Sequence, residues 1–286
     1  MNTNSQADAV SKKMSSPIEE AVHAMLRIRW VVMLGALLPG AACYFVVGYT
    51  YLLQFHRVAN FSEKPCKDIK NVFFPPVSYS IGVWEPQRFI WLIVMFIHLP
   101  PRLFFLVLYQ RLFMNSAPKS VWYRSALHIY KRTLWLEPFG LIVLSVVDIN
   151  SQFVIHALGF TIWIICFNLN VLINILLHHF CGFKDVHDNV RITWWVKVTM
   201  FVVSFVASIS TPVTYSLFSW YCNSLAYNLF SLSELVVIGC NSFFYCITYW
   251  EFPKTRITLG IKSVPRNLNS IVDSCKRKTP VFSVEA

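Results

Sequence analysis

Six apolar runs, at residues 30–55, 89–113, 133–147, 153–177, 194–218 and 224–250, alternate with polar segments along the 286-residue chain. Five of them exceed the roughly 20 residues that a helix needs to cross a bilayer. The run at 133–147 is shorter and is bounded by Asp148. The pattern predicts an all-α, polytopic membrane protein. Its parts are a mobile tail over residues 1–24, a six-helix transmembrane bundle over 25–252 and a basic tail over 253–286. Both tails are polar, and segments with little apolar surface to bury stay mobile.

Polar residues inside the apolar runs are the first candidates for function. The stretch at 85–111, EPQRFIWLIVMFIHLPPRLFFLVLYQR, carries His98, Arg102 and a Pro100-Pro101 step in its middle. An Arg near the centre of a spanning helix is unfavourable by about 2.5–3.5 kcal/mol on insertion scales, so it faces protein or trapped water. His98 and Arg102 are four residues apart and share a helix face. The two prolines remove backbone donors and predict a break or kink between them. The expectation is a polar cavity built around His98 and Arg102; the alternative is one buried salt bridge. Glu137, one turn inside the third run, is the expected partner of Arg102.

Two polar stripes accompany this stretch. His156, Asn170 and Asn174 fall on one face of the fourth run at the helical period, and Glu234, Asn241 and Tyr245 do so on the sixth. Such stripes line a cavity or join helices by hydrogen bonds, each worth about 0.6 kcal/mol on average. By helical rise His98 and Glu234 reach similar depth, which allows an acid–base pair between them. Ser204, Ser208 and Thr211 give the fifth run a small-residue face suited to close packing.

Composition supports the membrane reading: hydrophobic residues make up 56% of the chain and charged residues 14%, with a mean hydropathy of +0.51. A net charge of +11 raises nucleic acid as a partner, but the charge is gathered in alternate loops. Lys12, Lys13, Arg27 and Arg29 precede the first run. Arg111, Lys119, Arg124, Lys131 and Arg132 fill the second loop, and Lys184, Arg191 and Lys197 the fourth. The first loop has four, Arg57, Lys64, Lys67 and Lys70, and the third and fifth have none. By the positive-inside bias both termini are cytosolic, and the first, third and fifth loops lie on the lumenal or extracellular side. The basic tails then face anionic lipid, and no nucleic-acid partner is expected.

The same topology sorts the cysteines. Of eight, only Cys66 and Cys222 fall in loops on the oxidising side, which predicts a disulfide between them. Asn60-Phe61-Ser62 on that side is a glycosylation sequon. Glu85 and Arg88 are spaced to pair with each other, a contact worth about 0.2–1 kcal/mol when exposed.

Several chemistries have no motif here. There is no Gly-x-Ser-x-Gly, no His-Glu-x-x-His and no phosphate-binding glycine loop. No metal and no cofactor is expected. No inverted repeat argues for a transporter.

Residues 78–82 (Ser-Tyr-Ser-Ile-Gly), then Glu85-Pro86-Gln87-Arg88, then His98 with Pro101-Arg102, resemble the post-GPI-attachment-to-proteins factor two family. Glu137, His156, Tyr221-Cys222, Glu234, Asn241 and Trp250 extend the resemblance over residues 25–252. It joins the chain to the Frag/DRAM/Sfk membrane proteins and to the N-terminal domain of the yeast cell-wall GPI-lipid remodelling protein. The resemblance implies a multi-pass protein of the Golgi and endoplasmic reticulum membranes that supports reacylation of lyso-GPI with a saturated fatty acid. Its partners would be membrane lipids and a GPI lipid or lyso-GPI-anchored protein; the acyl donor stays open. On that reading His98, His156 and Glu234 are catalytic candidates, one His acting as base on the glycerol hydroxyl. Arg88, Arg102, Glu85, Glu137 and Asn241 are candidates for binding the lipid, with its phosphate on Arg88 or Arg102, Arg being suited to bidentate contact. The competing reading is a non-enzymatic membrane adaptor or lipid-presenting scaffold. The chain departs from the family pattern at Asn170 and Tyr245, where the family carries His.

Overall fold

A computed structural model describes residues 22–61, 66, 72–116, 120–252 and 256–261. The chain divides into two compact units, one of Arg29–Pro253 and one that joins Met1–Ile28 to Lys254–Ala286. In the second unit Val22–Arg27 (β1) pairs antiparallel with Arg256–Ile261 (β2), Val22 opposite Ile261 and Arg27 opposite Arg256. This ribbon corrects the all-α expectation. Ile257, Leu259 and Ile261 alternate with Arg256, Thr258 and Gly260, a period of two that belongs to a strand.

The larger unit is helical. Its long helices are α1 (Ile28–Leu53), α2 (Gln87–Asn115), α3 (Val121–Val146), α4 (Phe153–Phe180), α5 (Asp188–Tyr221) and α6 (Ser224–Cys246, continued by Thr248–Glu251). Among the described residues five helices are long and apolar enough to cross a membrane: α1, α2, α4, α5 and α6. At 26 residues α3 matches them in length, but Arg124, Lys131 and Arg132 occupy its first half. It therefore begins twelve residues before the apolar run that announced it. The surface suits a lipid solvent: Leu52, Phe96, Val154 and Trp220 are each at least 75% exposed, more apolar display than water tolerates.

Close packing is sharpest between α3 and α4. A Cβ on Gly140 would lie 2.7 Å from the Trp163 amide nitrogen and 2.9 Å from the Gly159 carbonyl oxygen, and one on Gly159 would lie 2.8 Å from the Leu144 nitrogen. The two backbones touch where both helices lack side chains, as small residues allow in membranes. α2 runs through Pro100 and Pro101 as one helix, so the prolines do not break it.

The α5–α6 turn is fixed covalently. Cys222 takes a left-handed conformation at the end of α5, and Asn223 caps α6 by accepting from the Leu225 and Ala226 amides at 2.9 and 3.2 Å. Cys222 is bridged to Cys66, as the topology predicted. Beyond Cys66 the chain is held to α6 again, because Asn228 Oδ1 accepts from the Phe73 and Phe74 amides, and Tyr51 donates to the Phe73 carbonyl. It then turns inward. The short helix Val77–Gly82 has all six residues buried, so the end of the first loop is a re-entrant segment sheltered by protein.

Candidate active site

The re-entrant helix starts against a carboxylate from α6. Val77 donates its amide to Glu234 Oε2 at 2.9 Å, and Ser78 Oγ donates to Glu234 Oε1 at 3.0 Å. Glu234 thus receives two donors from a segment 157 residues away in sequence. On the other side of the hydroxyl, His156 Nε2 lies 3.2 Å from Ser78 Oγ, and His156 Nδ1 lies 2.9 Å from the Val147 carbonyl oxygen. The carbonyl only accepts, so Nδ1 carries a hydrogen. With Oγ–H given to Glu234, Oγ accepts from His156 only when the imidazole holds a second proton. With that proton on Glu234 instead, the directions reverse and Oγ–H faces the Nε2 lone pair. Ser78, His156 and Glu234 therefore form one hydrogen-bonded chain along which a proton can pass.

This chain sits at one end of a cavity of about 460 Å³ between α4, α5 and α6, within the roughly 300–1,000 Å³ usual for small-molecule sites. Along α4 the cavity runs from Phe153 to Leu169, about 24 Å at the helical rise. Its walls are apolar, with Phe160, Ile164 and Phe230 among them, and among the described residues no Lys or Arg lines it. Ile165, Phe205 and Ile209 line it while being 46–53% exposed. The cavity therefore opens through the lipid-facing surface between α4 and α5. Asn168 bonds Ser204 and Ser208 across this seam, so the small-residue face of α5 joins α4 through hydroxyls.

The other predicted residues gather elsewhere. Arg102 pairs with Glu137 at 2.6 Å, as expected, both side chains buried. Arg102 also donates to Asn241 Oδ1 at 2.9 Å and lies 3.6 Å over the Tyr245 ring. Glu137 accepts further from Asn241 at 2.8 Å, Asn170 at 2.5 Å and Tyr245 at 2.7 Å. Four donors meet the roughly four lone-pair sites of a carboxylate. Each stripe is thus divided: Asn170, Asn241 and Tyr245 meet Glu137, while His156 and Glu234 meet Ser78. Asn174 instead donates to the Tyr130 hydroxyl.

Two expected pairings do not form. His98 and Glu234 share the wall of a second, small cavity of about 40 Å³ with Arg102 and Asn241, but Glu234 is taken by Val77 and Ser78, and neither ring nitrogen of His98 makes a hydrogen bond. Glu85 is exposed and Arg88 half-buried at the start of α2. The ion pairs of Lys and Arg among the described residues are Arg102–Glu137, Arg191–Asp188 and Lys197–Glu251, and neither Glu85 nor Arg88 lines either cavity.

Sequence reading missed two features. Lys197, assigned to a loop, is fully buried inside α5 and pairs with Glu251 at 2.6 Å, where Tyr109 also donates to Glu251 at 2.7 Å. Ser78 carried no chemical role; its only signal was its place in Ser-Tyr-Ser-Ile-Gly. Among the described residues no three His, Cys, Asp or Glu side chains are placed to hold a metal ion.

Residues 28–255 match the family model described as Frag1/DRAM/Sfk1/Cwh43P N-terminal domain. Acyltransferase PGAP2 of Xenopus tropicalis is 24% identical over 208 residues, covering 71% of this chain and 81% of that protein. Post-GPI attachment to proteins factor 2 of Drosophila pseudoobscura pseudoobscura is 26% identical over 225 residues, 79% of this chain and 86% of its own. The factor 2-like protein of Drosophila melanogaster is 22% identical over 260 residues, 88% and 78%. No solved structure matches.

Proposed function

This chain belongs to the Frag1/DRAM/Sfk1/Cwh43P N-terminal domain family, and from that premise we propose that it reacylates lyso-GPI with a saturated fatty acid in the Golgi and endoplasmic reticulum membranes. Relatives named as post-GPI attachment factors, one of them as an acyltransferase, support a role in GPI-anchor remodelling. In this reading α3 is the sixth span, both termini are cytosolic and the Cys66–Cys222 bridge faces the lumen.

One observation carries the reading: Ser78, His156 and Glu234 stand at the polar end of an apolar cavity that opens to lipid. An acyl chain lies along the cavity, and its ester carbon reaches the hydroxyl and imidazole at the end. The base is His156, oriented by Val147, and a positioned base contributes about 10²–10⁴-fold. His98 has no hydrogen-bonded partner to orient it.

The scaffold reading draws on a different observation. Arg102, Glu137 and Asn241, all candidates for binding the lipid or its phosphate, are committed to one another inside the bundle, as they would be in a protein that only holds its helices together.

Cells lacking their own family member discriminate the two. Wild-type protein restores surface GPI-anchored proteins carrying a saturated chain; His156→Gln and Ser78→Ala, expressed at equal level with the disulfide formed, restore less than about a tenth. Full rescue by both variants would leave the scaffold as the function.

A further inference from the structure

We infer that the acyl donor is a phospholipid ester of the bilayer itself, and that Ser78 carries the acyl group between donor and acceptor. The inference rests on the acyltransferase reading and names the donor class and the carrier.

Three observations converge. Ser78 Oγ touches both a carboxyl oxygen and an imidazole nitrogen, the environment that activates a hydroxyl as a nucleophile. Among the described residues the cavity it faces has no cationic lining, and it opens among exposed Ile165, Phe205 and Ile209. A nucleotide thioester brings several phosphates, which need Arg or Lys; a bilayer lipid leaves its head group at the interface and brings only chains and ester. The third observation is the side. Tyr227, which lines the cavity, packs in one cluster with Phe61, Tyr79, Phe218 and Cys66, one half of the disulfide. The polar end thus lies on the oxidising face, where membrane phospholipid is at hand and a cytosolic thioester is not.

The chemistry balances in two halves. Ser78 Oγ attacks the donor's ester carbon while its proton passes to His156 Nε2. The donor's C–O bond breaks, its alkoxide takes that proton, and a lysophospholipid leaves an acyl ester on Oγ. The acceptor's glycerol hydroxyl then gives its proton to Nε2 and attacks the Ser78 ester. The Oγ–acyl bond breaks, and Oγ recovers the proton from His156. No oxidant, reductant or further reactant is consumed.

The test uses the full chain in proteoliposomes with a lyso-GPI-anchored reporter protein. In one arm the label is a stearoyl chain on phosphatidylcholine; in the other it is stearoyl-coenzyme A. The expected result is label from phosphatidylcholine on the reporter and, after acid quench, on the Ser78 peptide by mass spectrometry. Ser78→Ala lowers transfer at least about 100-fold, and Ser78→Cys, which keeps a nucleophile and the small volume, traps the chain as a hydroxylamine-labile thioester. Transfer from stearoyl-coenzyme A alone overturns the donor and leaves the acyltransferase reading standing. Transfer by Ser78→Ala at the wild-type rate overturns the carrier. Transfer from neither donor overturns the acyltransferase reading itself.

Discussion

At the scale of single residues the bundle is governed by where each buried charge finds its partner. Glu137 is held by Arg102, Asn241, Asn170 and Tyr245 at once, so removing it strands a buried guanidinium. Breaking one side of such a pair costs about 3–5 kcal/mol, whereas apolar replacement of both is often nearly neutral. Glu137→Leu and Arg102→Leu should each lower the thermal midpoint in detergent strongly, and the double variant should lose less than the two singles summed. Additive losses would show that the pair is not coupled. This pairing was legible because each charge stood alone in an apolar run. Lys197 was not, since two other basic residues stand ahead of it and its partner Glu251 closes the last helix. Ser78 was less legible still: a serine in a loop is commonplace, and only the folded chain sets it between His156 and Glu234. The same view bears on Asn170 and Tyr245, where the resembled family carries His. Both donate to Glu137 and neither touches Ser78, so the departure falls on the bundle's internal fastening rather than on the proposed chemistry.

Among elements, α3 and α4 depend on contact without side chains at Gly140 and Gly159. Gly159→Leu must part the two backbones, and overpacking of this kind costs about 1–3 kcal/mol or more. We expect a lower thermal midpoint for it and little change for Gly48→Leu, whose Cβ would meet nothing within 4 Å. Five of the helices were legible from hydrophobic run length. The start of α3 was not, because its first turns carry the charges that mark a loop in a membrane sequence; there Tyr123, Leu127 and Tyr130 pack inward on α2 and α4 residues. The two prolines of α2 marked a break that does not occur: the helix continues through them. The re-entrant helix Val77–Gly82 left no periodic signal: six residues make too short a run to show one.

For the whole molecule, the first loop and the last hairpin behave as one piece. The Cys66–Cys222 bridge closes 156 residues, and losing a native disulfide costs about 2–5 kcal/mol. Cys66→Ser should lower the unfolding midpoint, and reductant should lower the wild type toward it while leaving the variant unchanged. Reduction without a shift would mean that the hydrogen bonds accepted by Asn228 and Glu234 hold the loop without the bridge. The bridge was legible from topology, because loop side sorted the cysteines before any geometry was known. The inward turn that follows it was not. One more consequence comes from the order in which a ribosome delivers the parts. Val77 emerges 157 residues ahead of Glu234, an interval of roughly 8–30 s at about 5–20 residues per second. Throughout that time the nascent first loop lacks the carboxylate that receives it in the folded protein. A chain stopped before its final span would therefore carry Ser78 and His156 without the acceptor that takes both the Val77 amide and the Ser78 hydroxyl, so the inward turn is seated only once α6 is in place.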